Sequence, residues 1–93
     1  MVIGLLTVEL HIPESNSLKA KRRVIKSLKD KLRNKFNASV AEIDHHDKWQ
    51  LATLAICAVS NDKVYIDGAL NKALNFIGEL SGADITDYQI ELL

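Results

Sequence analysis

Glu42, Asp44, His45, His46 and Asp47 place five side chains able to bind a metal or move a proton within six residues. Hard carboxylate oxygens beside imidazoles suit a divalent cation, and a metal-bound water there would make the chain a hydrolase. The spacing argues for something plainer. Adjacent histidines at a strand end point in different directions, no HExxH spacing is present, and no second cluster of ligands exists elsewhere in the chain. The segment therefore reads as a polar turn, and no metal ligand is assigned. Cys57 lies inside the apolar run LATLAICAV and reads as a buried, unreactive thiol. His11, beside Pro13 at the end of an apolar segment, reads as a surface or hydrogen-bonded residue. Four glycines form no phosphate-cradling loop, and no nucleophile is paired with a base in a recognisable setting. No catalytic residue, cofactor or small-molecule substrate is assigned, and the chain reads as a binding protein rather than an enzyme.

The binding chemistry is electrostatic. The formal net charge is zero, yet residues 1–35 carry nine basic and three acidic side chains while residues 36–93 carry three basic and nine acidic ones. The halves thus differ in sign, +6 against −6. Between Lys19 and Lys35 nine cations face a single acid, Asp30. Projected as a helix at about 100° per residue, Lys19, Arg22, Lys26, Lys29 and Arg33 share a sector of roughly 80°. Like charges at these spacings destabilise a helix by roughly 0.2–0.5 kcal/mol per pair, and cations in its first turn oppose its dipole. A sequence shaped for stability alone would intersperse glutamate. The ridge is therefore assigned to anion binding, and its length favours the phosphates of RNA over a small phosphate.

The elements that must carry these residues follow from periodicity. Val2 to Ile12 alternates as a strand, with Leu6, Val8 and Leu10 inward and Thr7, Glu9 and His11 on the wetter face. This segment lacks a basic leader and a small-residue cleavage site, so it is not read as a signal peptide. Ser17 is placed to cap a helix in which Leu18, Val24, Ile25, Leu28, Leu32 and Phe36 form one apolar stripe, and Asn37 is placed to end it. Ala38 to Ile43 reads as a second strand and Trp49 to Val59 as a third, joined by a hairpin. Ser60-Asn61-Asp62 caps a second helix with a stripe at Ile66, Ala69, Leu70, Ala73, Ile77 and Leu80, which Gly82 is expected to close. Asp84 to Leu93 is the last strand. The order β-α-β-β-α-β over residues 1–93 predicts one α+β domain of ferredoxin-like topology, a four-stranded antiparallel sheet with both helices on one face. One cysteine permits no intrachain disulfide, which favours a reducing, cytoplasmic setting, and no apolar run is long enough to span a membrane.

The first and third strands should be central. After Trp49 neither contains the Phe, Tyr or Trp on which RNA-recognition motifs stack bases, so that mode is not expected. An open face of small residues, Thr7 and Thr53 among them, instead suits pairing with another sheet or a partner. Trp49 reads as an edge or core anchor before it reads as a base-stacking platform. Lys21 projects onto the apolar stripe, and whether it snorkels outward is left open.

SLKAKRRVIKSLKDKLRNKFNASVAEID (Ser17 to Asp44), DKWQ, AVSND and DYQIEL together resemble the bacterial YlxP-like family of small uncharacterised proteins, over nearly the whole chain. The resemblance implies a ferredoxin-like fold and a cytoplasmic protein whose genes often neighbour those for translation initiation and ribosome maturation. It brings no catalytic activity. The residues it covers are Ser17, Lys19, Lys21 and Arg22 at the helix start, Glu42 and Asp44, Trp49 and Gln50, and Asn61 and Asp62. Where the family often has glutamate this chain has Ala20, so the capping box begun by Ser17 lacks its acidic half. The expected function is a non-enzymatic module holding structured RNA or a ribosomal particle on Lys19, Arg22, Lys26, Lys29 and Arg33. A homodimeric interaction domain, with the basic helix of one copy on an acidic surface of another, is the alternative, and a metal-dependent hydrolase at the hairpin the third reading.

Overall fold

The computed structural model describes residues 1–80 and 82–93. Its elements are β1 (Val2–His11), α1 (Leu18–Phe36), β2 (Ser39–Asp44), β3 (Leu51–Ser60), α2 (Lys63–Glu79) and β4 (Asp84–Leu92). The strands form one antiparallel sheet in the order β2-β3-β1-β4. The fold is ferredoxin-like. No helix among the described residues is long and apolar enough to cross a membrane.

Alternation along β1 and β3 decides which sheet face is covered. Leu6, Val8 and Leu10 stand opposite Ile56, Leu54 and Ala52, and all six are buried beneath the helices with Ile25, Leu28, Leu32, Ile66, Leu70 and Ile77. The other parity, Leu5, Thr7, Ala55 and Cys57, makes the uncovered face and is half-buried. Thr53 shares that face but is buried, and its hydroxyl has no hydrogen-bond partner among the described residues.

The helix ends follow the cap residues. Ala20 N–H donates to Ser17 Oγ at 3.0 Å, and Asn37 turns the chain out of α1 in the left-handed region, at φ 48°. Asp62 Oδ1 accepts from the amides of Val64 and Tyr65 at the start of α2. Gly82 does not close α2, which ends at Glu79 with an extended Leu80; with φ 91° it instead makes the turn into β4. A bulge between Glu42 and Asp44 takes Ile43 out of the alternation of β2 and leaves it exposed.

At Gly4, α2 lies close on the sheet. A Cβ there would overlap Cγ2 of Ile66 and stand 2.8 Å from Cδ1 of Leu70, both buried side chains. Gly4→Ala should lower stability by about 1–3 kcal/mol in urea denaturation, because a β-branched neighbour cannot swing aside in a closed core. Ile66→Ala added to it should recover part of that loss.

Candidate nucleic-acid interface

The stripe that packs α1 on the sheet fixes where its cations lie. Lys21, Ile25, Leu28 and Leu32 are its buried residues. The sector centred about 110° away holds Lys19, Arg22, Lys26, Lys29 and Arg33, on the flank of α1 beside β2. Lys19, Arg22, Lys26 and Arg33 are exposed and Lys29 is half-buried. The first turn contains no acid, whereas Arg33 and Lys35 fall in the last turn, where the dipole favours them.

The five ridge residues are not equally free. Arg33 Nη2 donates to the Val40 carbonyl of β2 at 2.8 Å, and its Nη1 lies 4.0 Å from Asp30. Lys26 Nζ lies 4.0 Å from the other Asp30 oxygen, and such an exposed pair contributes little. Lys19, Arg22 and Lys29 form no ion pair among the described residues. Lys35 serves packing instead. Its ammonium sits 4.5 Å from the centre of the Phe76 ring, which meets Phe36 edge-on across the two helices.

Lys21 is the side chain whose direction periodicity does not decide. It does not snorkel. At 2% exposure it runs inward along the stripe, places Nζ 2.8 Å from Glu42 Oε2, and donates a hydrogen bond to the His45 carbonyl. Glu42 is on β2 opposite Leu54, so it faces the helix layer, and only 16% of its side chain is exposed. Oε2 is within ion-pair distance of the ammonium but receives no aligned hydrogen bond, so the contact is held by charge more than by direction. The signal for this pair is in the sequence: a lone cation on an apolar stripe and a lone acid on the inward parity of a strand. Register was needed to bring them together.

The same contact pins the hairpin. His45 has φ 62°, its N–H donates to Asp44 Oδ1 at 2.7 Å, and its carbonyl also accepts from Lys48 N–H. His46 Nε2 donates to the Glu42 carbonyl at 3.0 Å. Asp44 and His46 are thus engaged within the turn, and the described residues gather no set of three His, Cys, Asp or Glu able to hold a metal. Gln50 Nε2 donates to the carbonyls of Pro13 and Ser15 at 3.0 and 3.3 Å, tying the hairpin to the entry of α1. Trp49 is not a core anchor. It is 55% exposed, on a loop held at both ends.

Residues 3–90 match a family described as "Protein of unknown function (DUF503)". The chain is also similar to the protein named "Uncharacterized protein YlxP" from Bacillus subtilis (strain 168), with 40% identity over 76 residues, covering 82% of this chain and 83% of that protein. The ridge, the buried lysine and the pinned hairpin all lie within the matched span, and the chain belongs to the DUF503 family.

Proposed function

We propose that this protein is a non-enzymatic module that binds the phosphate backbone of structured RNA, on a ribosomal particle or its precursor, through the ridge of α1. The carrying observation is the row Lys19, Arg22, Lys26 and Lys29, about two to three turns of cations on one flank with no acid in the first turn. Such a row matches the spacing of a phosphate chain better than that of a single anion. Arg33 extends it, with its guanidinium held against β2. The exposed Trp49 on its pinned hairpin offers a flat face to an unpaired base, which would add affinity without reading sequence.

A salt titration tests this directly. Anisotropy with fluorescent ribosomal RNA fragments should give a log-affinity against log-salt slope of about −3, since roughly four contacts each contribute −0.7 to −0.9. Binding that is absent at low salt, or whose slope is flat, would remove the RNA reading.

A further inference from the structure

The two edges of the sheet are finished differently. Ser39 and Ala41 of β2 pair with Cys57 and Ala55, so Val40 and Glu42 turn their backbone groups outward. Both outward carbonyls are covered by side chains, Val40 by Arg33 at 2.8 Å and Glu42 by His46 at 3.0 Å. The bulge at Ile43 breaks what remains of the edge. These are the devices by which an edge strand is closed to further pairing.

β4 has almost none of them over its second half. Ile3 and Leu93 exchange both backbone hydrogen bonds, at 3.1 and 2.7 Å, and Ile12 N–H donates to Gln50 on the other side of β1. By the alternation of an antiparallel ladder, Gln89 and Glu91 bond to β1, whereas Tyr88, Ile90 and Leu92 direct N–H and C=O away from the sheet. Only the Tyr88 N–H is met by a side chain, its neighbour Asp87 at 2.8 Å; nothing among the described residues covers Ile90 or Leu92. β4 contains no Lys, Arg or Pro. Its helix-facing side chains are Tyr88, Ile90 and Leu92, opposite Val8, Leu6 and Gly4, and Tyr88 is 54% exposed there.

We infer that the β4 edge pairs with β4 of a second copy of this chain, antiparallel about a two-fold axis at Ile90, to give a continuous eight-stranded sheet. The register follows from the side chains. With Ile90 opposite its own copy, Tyr88 meets the partner's Leu92 on the helix side, and Gln89 meets the partner's Glu91 on the open side. Centring on Gln89 would set Asp87 against Glu91, centring on Glu91 would set it against itself, and centring on Tyr88 would run into the bulge at Thr86. The Ile90 register alone joins apolar to apolar and neutral to charged. It lets Ile90 and Leu92 use their free backbone groups, exchanging the local Asp87 contact at Tyr88 for a strand partner. α1 lies over the far side of the sheet, so this pairing is independent of the RNA reading and leaves both ridges free.

Sedimentation equilibrium of the full chain, from micromolar to millimolar concentration, tests the inference. The parent should dimerise. Gln89→Glu, an exposed change that brings two like-charge pairs across the axis, should weaken the dimer by roughly three- to tenfold, and Gln89→Lys should tighten it by a similar factor. Ile90→Cys should form an intermolecular disulfide on oxidation that the parent, with Cys57 alone, does not, because a hydrogen-bonded cross-strand pair stands about 5.5 Å apart at Cα. A parent that stays monomeric throughout, or a dimer that moves the same way or not at all with the two Gln89 changes, overturns the inference.

Discussion

Changing Lys19, Arg22, Lys26 and Lys29 together to glutamate should weaken binding of structured RNA by at least about a hundredfold at low salt, with the salt slope falling toward zero. Each site loses a released counterion and gains a charge that repels phosphate. Helix propensity differs little between lysine, arginine and glutamate, and an acid at position 19 would suit the dipole of the first turn. Circular dichroism should therefore show α1 intact. Arg33 is left unchanged because its contact with Val40 also secures β2. The comparison that gives the result meaning is Arg23, Lys31, Lys63 and Lys72 changed to glutamate, an equal change in net charge at exposed positions off the ridge. If RNA is held by the ridge, this second variant should retain most of its affinity. If both variants lose binding alike, the attraction is only that of overall charge.

Lys21→Ala should lower stability by about 2–4 kcal/mol, read as a lower midpoint in urea with an unchanged slope. Three losses coincide: Glu42 keeps a charge in a nearly closed site, the His45 carbonyl loses a donor, and the aliphatic stem leaves a gap against the stripe. Lys21→Met should recover the packing portion only. Lys21→Met with Glu42→Leu removes both charges and should return close to the parent, since a buried ion pair is replaceable by apolar groups far more cheaply than it is broken. The double variant should still release the hairpin from α1, because the His45 carbonyl has then lost its lysine. Faster amide exchange across residues 45–50 would register that release.

Most of the architecture was legible because local signals agreed. Ser17, Asn37 and Asp62 are caps whose chemistry is contained in a few neighbouring residues, and the stripes of α1 and α2 need no knowledge of what they pack against. The misread positions depend on tertiary register instead. The strand expected to end at Ile43 in fact runs to Asp44 through a bulge, which only the pairing with β3 reveals. Trp49 looks like an anchor because large aromatics usually are, yet it is exposed on a loop whose neighbour Gln50 is stitched to Pro13 and Ser15. Gly82 suggests a cap by its type, although the helix already ends at Glu79. The ridge was legible as a helical projection, but the engagement of Arg33 with β2 was not, for it requires knowing which carbonyls an edge strand leaves unpaired.

The burial of Lys21 also sets the chain's reactivity toward amine reagents. An acylating agent meets the ridge lysines in the folded domain, whereas the Lys21 ammonium is closed off and neutralised by Glu42. It reacts only when α1 lifts from β2 or the whole domain opens. Modification at that position is therefore a clock for opening, running no slower than the exchange of the slowest core amides allows and faster where α1 lifts by itself. An enzyme that acetylates lysines would be bound by the same limit, and would mark Lys21 on the nascent or unfolded chain far faster than on the folded one.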